Sequence, residues 1–150
     1  MTYITVEAAV QDVFQALDQF SSSGVTLGDY RVLDEVQTTC IVLVPGTFSP
    51  GETESQSRYR EWEVLADLFY CYRDDGTSWT NFATARDNVI AAIENYPTLD
   101  STTGIIMTRI GAAGEPAEVY DKDERGPFFI TQRLSITVVE RAGITGGEFA

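Results

Sequence analysis

The side chains able to carry chemistry are few and mostly acidic. Asp34-Glu35 and Asp74-Asp75 are adjacent carboxylate pairs, and Asp121, Asp123 and Glu124 form a third acidic group. Paired carboxylates serve glycoside hydrolysis or magnesium binding when a cleft holds them at a fixed separation. Asp74-Asp75-Gly76 already has the composition of a turn ahead of a helix. The Asp121 group is interleaved with Lys122 and Arg125, lacks calcium-loop spacing, and reads as a solvated charge run. A hydrolase would need Asp74 or Asp75 in a cleft with a raised pKa. There is no histidine, which removes the commonest general base and metal ligand and makes a Ser-His or Cys-His pair impossible. Cys40 and Cys71, the only cysteines, each sit in an apolar run. They read as small buried hydrophobes in a reducing compartment, not as a disulfide or a metal site. Gly24-Val25-Thr26-Leu27-Gly28 is followed by no Lys-Ser/Thr and precedes no helix, so it is not a phosphate loop. The expectation is no enzyme, with no catalytic, cofactor-binding or metal site.

The charge balance narrows the partners. Ten Lys and Arg stand against 23 Asp and Glu, a net charge of −13. Such a surface repels nucleic-acid phosphates and anionic lipids, which excludes sequence-specific DNA binding. It serves either solubility or a surface that DNA passes without sticking. With 43% hydrophobic residues in 150, the chain can build one domain around one core, 1–150, with 142–150 as a flexible tail. Met1 to Phe20 has no basic start and carries Glu7, Asp12 and Asp18, unlike a signal peptide. No run approaches the roughly 20 apolar residues of a membrane span. Folding in a cytoplasm is expected.

The elements that position these groups follow from periodicity. Val6, Val10, Val13, Leu17 and Phe20 recur at helical spacing and predict a helix over Thr5 to Phe20, with Thr5 as N-cap and Glu7 in its first turn. Gly24 to Asp29 reads as loop. Thr38 to Val44 is nearly continuous in apolar residues and predicts a strand buried on both faces. Gly46 to Ser57 is polar and unpatterned, a loop with Phe48 as its one apolar anchor. From Glu61 to Arg73, Trp62, Val64, Ala66, Leu68, Tyr70 and Tyr72 alternate with residues that are charged early and apolar late. That predicts a long strand with one end covered on both sides. A second helix is expected over Ser78 to Tyr96, with Trp79, Phe82, Ala83, Val89, Ile90 and Ile93 as its stripe and Pro97 as its stop. Gly104 to Gly111 is a third strand, Ala112 to Gly126 a second long polar loop, and Phe128 to Glu140 a fourth strand. The predicted fold is α+β: a four-stranded, mainly antiparallel sheet in the order 1-2-4-3, with both helices on one face.

Several of these segments are similar to the tail-terminator (tail-completion, minor tail) proteins of long-tailed bacteriophages. The resemblance lies in the opening amphipathic helix, in Glu61-Trp62-Glu63-Val64, in the helix closing Val89-Ile90-Ala91-Ala92-Ile93-Glu94-Asn95-Tyr96-Pro97-Thr98-Leu99, and in Gly126-Pro127-Phe128-Phe129 leading to Leu134-Ser135-Ile136-Thr137-Val138-Val139-Glu140. It implies a virion protein assembled in the host cytoplasm, a ring, usually a hexamer, that caps the tail tube, stops its polymerisation and docks the head or neck. The implied partners are further copies of itself, the tail-tube protein and a neck or head-completion protein. DNA would be passing cargo only, with no membrane and no cofactor. Interface candidates are Phe48, Glu52, Glu54, Tyr59, Tyr120, Asp121, Asp123 and Arg125; carboxylates such as Asp74, Asp75, Asp121 and Asp123 are candidates for the lumen. A channel lined mainly by Arg31, Arg73 and Arg133 would contradict this. The alternatives are another head-tail connector, such as a neck or head-closure subunit, and a bacterial binding module.

Overall fold

The computed structural model describes residues 2–20, 24–30, 39–49, 53–54, 57–72, 76–102, 104–120 and 127–143. Helix α1 covers Tyr3–Gln15 and is followed by strands β1 (Val25–Leu27), β2 (Thr39–Ser49), β3 (Thr53–Glu54) and β4 (Ser57–Cys71). Helix α2 covers Ser78–Asn95, and β5 (Ile105–Ala112), β6 (Ala117–Tyr120) and β7 (Pro127–Gly143) complete the order. The class is α+β. The strands form one seven-stranded sheet with the path β1-β2-β4-β7-β5, β3 lying on β4 and β6 on β7.

The four expected strands are β2, β4, β5 and β7, and they neighbour one another in the expected order within that path. The sheet is nevertheless larger than four strands and mixed. β1, expected as loop, pairs parallel to β2 in the register Val25↔Ile41 to Leu27↔Leu43. Its three residues are too few to show an alternation. Among the described residues both long loops also prove to be paired in part. β2 continues to Ser49 and β3 folds back on Ser57 and Arg58, while Ala117 to Tyr120 pairs with Pro127 to Thr131. Backbone pairing needs no apolar side chain, so a hairpin wet on both faces carries no periodic signal. β5 and β6 lie along the same edge of β7 as one interrupted strand. Gln132 bridges the break: its Nε2 donates to the Gly114 carbonyl at 2.9 Å, and its Oε1 accepts from Arg86 of α2 at 3.2 Å.

The main core lies between the helices and one face of the sheet. Val6, Val10, Val13 and Phe14 of α1 and Phe82, Val89 and Ile93 of α2 pack with Ile41, Leu43, Val64, Leu68, Leu134 and Ile136. On the opposite face Cys40, Val42 and Phe69 are buried with Val44 and Phe129 beside them. β2 is thus buried on both faces from Thr39 to Leu43, and β4 is covered on both faces at its later end, as the sequence implies. Burial raises the Cys40 thiol to about 12, so it is no thiolate nucleophile.

The helix boundaries differ in detail. α1 starts at Tyr3, and the N-cap is Thr2, whose side chain accepts from the Thr5 amide. Glu7 therefore lies beyond the first turn; it is buried and accepts the Tyr3 hydroxyl proton in a hydrogen bond. The helix stops at Gln15, although Leu17 and Phe20 still pack on the core through the turns that follow. In α2, Trp79 leaves the predicted stripe. It is exposed, and its Nε1 donates to Glu118 of β6 at 3.1 Å. Past Pro97, Leu99, Asp100 and Ser101 all have positive φ, a left-handed turn held by the buried Leu99 side chain and by Thr102 Oγ1 donating to the Leu99 carbonyl. Ala142 and Gly143, assigned to the tail, belong to β7.

Candidate functional site

Strands β2 and β4 run on past the helix-covered part of the sheet and form an arm, flanked by the last residues of β7. The register runs unbroken from Ser57↔Gly143 to Cys71↔Phe129 along β4 and β7. At the root of the arm β2 carries one extra residue: Pro45 pairs with Val64, but Phe48 pairs with Trp62. Gly46 sits in this bulge, where a Cβ would come within 2.5 Å of Glu63 Oε1. Its absence lets the Glu63 carboxylate close over the bulge. Glu63 Oε1 accepts from the Thr47 amide at 3.0 Å and from Thr47 Oγ1, and Oε2 accepts from Ser135 Oγ. The bonds from Ser135 and Thr47 hold the Glu63 carboxyl below its ordinary pKa.

On the helix side of the root, Phe48 stacks on Trp62 with ring centroids 4.5 Å apart. Trp62 Nε1 reaches Glu140 Oε1 at 3.5 Å, and Arg60 Nη1 lies 3.5 Å from the same oxygen. Glu140 is 2% exposed, so a buried carboxylate is matched by a guanidinium and an indole N–H. Phe48 keeps 52% of its surface in solvent, the apolar tip of this stack. Across the sheet Arg109 Nη2 lies 3.7 Å from Glu61, both side chains well exposed.

The open face carries a second polar cluster. Arg133 binds Asp67 through Nε at 2.7 Å and Nη2 at 3.0 Å, and the Tyr30 hydroxyl donates to Asp67 at 2.6 Å. Burial pushes the Asp67 carboxyl upward, but the bonds from Arg133 and Tyr30 outweigh it and leave the pKa lowered. The Tyr30 ring meets Phe69 edge-on and shields the small apolar cluster there.

Of the expected interface residues, the structure brings Phe48, Glu54 and Tyr59 to the arm, on β2, β3 and β4. Tyr120 falls at the opposite end of the sheet, because β6 pairs with the Pro127 end of β7 and the arm with the Gly143 end. The described members of the expected set therefore fall in two separate regions. Glu52, Asp121, Asp123 and Arg125 lie outside the described residues, as do Asp74, Asp75, Arg31 and Arg73. Arg133 is committed to Asp67. Sequence reasoning missed Trp62 as the partner of Phe48, and missed Gly46, Glu63 and Glu140. Glu140 did leave a signal, an acid at an inward position after Ile136 and Val138. Among the described residues no group of three or more His, Cys, Asp or Glu is placed to hold a metal ion, and no helix is long and apolar enough to cross a membrane.

No protein-family model and no curated protein matches the chain. Among solved structures it is similar to the sheath/tube terminator of an extracellular contractile injection system, PVC, in the extended state. The TM-score is 0.50 at 13% sequence identity, over 97% of this chain and 59% of that one. The chain thus spans about three fifths of the terminator's length. At this identity the likeness speaks to fold alone: the fold is similar to that of this sheath/tube terminator.

Proposed function

We propose that the chain is a structural tail-terminator subunit and not an enzyme. It assembles as a ring, a hexamer, on the end of a completed tail tube, stops further polymerisation and presents the surface to which a head or neck docks. The observation that carries this reading is the likeness, along 97% of the chain, to a protein that is itself a sheath/tube terminator. The arm gives it a physical basis. A hairpin with an exposed aromatic side chain near its root and paired charges suits contact with a neighbouring subunit or the tube. The net charge of −13 suits a lumen through which DNA slides without binding.

The test is to add the purified protein to polymerising tube protein and follow tube length by electron microscopy and subunit number by native mass spectrometry. The expected result is shortened, uniformly capped tubes with six copies at one end. Tubes that grow alike with and without the protein overturn the reading.

A further inference from the structure

At the other end of the molecule from the arm, the turns that follow α1 and one flank of α2 border an open cleft of about 430 Å³. That is within the roughly 300–1,000 Å³ of ordinary ligand clefts. Asp18 and Gln19 form one wall; Asn81, Thr84 and Asn88, spaced three and four residues apart along α2, form the other; Tyr70 of β4 contributes from below. No Lys or Arg is among the described residues that line it.

One wall is fixed in place. Gln19 Nε2 donates to the Ala85 carbonyl at 3.1 Å, Gln19 Oε1 accepts from Asn88 Nδ2 at 2.9 Å, and Thr39 Oγ1 donates to the Gln19 carbonyl at 2.6 Å. On the other side Asn81 Nδ2 donates to Thr77 and Thr84 Oγ1 to the Thr80 carbonyl. Each of these amide bonds uses one N–H of its side chain and leaves the second. They also leave the carbonyl oxygens of Asn81 and Asn88 and the lone pairs of Thr84 uncommitted. Tyr70 is 8% exposed, and its hydroxyl has no partner among the described residues. The Asp18 carboxylate makes no ion pair among them either.

The cleft therefore offers uncommitted acceptors on both sides, and the Asp18 carboxylate is the one charge among the described residues that line it. An anion is repelled from it, and a cation with several donors is matched. We propose that it binds a guanidinium, the arginine side chain of a partner protein. A planar head with five donors matches a carboxylate on one wall and amide and hydroxyl oxygens on the other; an ammonium, with three donors on one point, reaches fewer of them.

The experiment is an NMR titration of the full chain with L-argininamide, beside L-citrullinamide as the uncharged isostere and L-lysinamide as the other cation. Argininamide should give saturable shifts at Gln19, Asn81 and Asn88, with citrullinamide giving none at the same concentration. Asp18→Asn, at an exposed position, should weaken binding about fivefold, the worth of one partly exposed charge-assisted pair. Tyr70→Phe, which keeps the buried ring, should weaken it about twofold to threefold. Absence of saturable shifts, an equal response to citrullinamide, or an unchanged Asp18→Asn titration overturns the proposal. An equal response to lysinamide overturns the guanidinium assignment. Neither readout requires a ring, so failure here and failure of tube capping are distinguishable.

Discussion

From Val64 to Tyr70, strand β4 sends Val64, Ala66, Leu68 and Tyr70 into the helix-covered core and Asp67 and Phe69 into the cluster on the other face, all of them buried. From Tyr59 to Glu63 the same strand is only half-buried, and side-chain bonds hold it: Glu63 to Thr47 and Ser135, Trp62 to Phe48 and Glu140, Arg60 to Glu140. Hydrophobic burial fixes the body, because removing apolar area from water is the largest favourable contribution available. The arm instead relies on side-chain bonds, of which the exposed ones each add about 1 kcal/mol or less, and on the pairing of the buried Glu140 with Arg60 and Trp62. Stability is thus carried by one stretch of the strand and the proposed contact surface by another. Changes in the body should unfold the protein, and changes in the arm should disarm it.

The sharpest contrast should come from Leu68→Ala. A fully buried leucine in the body should cost about 3 kcal/mol, a fall in melting temperature of roughly 10 °C by calorimetry. Asp67→Asn, on the open face of the same stretch, removes the charge that Arg133 and Tyr30 share. With Arg133 half exposed, a loss of about 1–2 kcal/mol is expected by urea unfolding. A loss as large as that of Leu68→Ala would mean the ionic cluster carries more of the body than packing does.

Acid should act on both stretches. The folded pKa values of Glu63 and Asp67 are lowered, so the unfolded chain takes up these protons first as the pH falls. Their contribution is complete above the ordinary carboxylate range and is lost as pH drops through that range to the lower folded values. Urea unfolding from about pH 7 to about pH 3 should show this decline, and Asp67→Asn should flatten it. Gly46→Ala forces the Glu63 side chain off the bulge. It should cost about 0.5–1 kcal/mol and speed hydrogen exchange at the Thr47 amide, leaving exchange in the body unchanged. Phe48→Ser should have the smallest effect on stability, within about 0.5 kcal/mol, yet abolish tube capping. Normal capping by this variant would remove Phe48 from the interface.

What the sequence made legible follows the same division. Where a face is buried, periodicity reports it, so Trp62 to Tyr72, the double-sided run at Cys40 to Val44 and the stripe of α1 were readable residue by residue. Where neither face is buried, composition resembles loop, and the arm and β6 were hidden in Gly46 to Ser57 and Ala112 to Gly126. Phe48 stood out as a lone apolar residue in a polar stretch, but its partner Trp62 looked like ordinary strand alternation. The cleft had no sequence signature at all. Asp18, Tyr70 and Asn81 are distant in the chain, and only the packing of α1 beside α2 over β4 brings them together.

The unbroken register between β4 and β7 also has a mechanical meaning. Anything that grips the arm pulls on the two backbones that thread the core. A pull along the strands loads all fifteen paired positions at once, in shear, instead of opening them one after another from the end. About 50 Å of continuous strand makes the arm a stiff lever, not a tether. Force applied at Phe48 would be felt at Leu68.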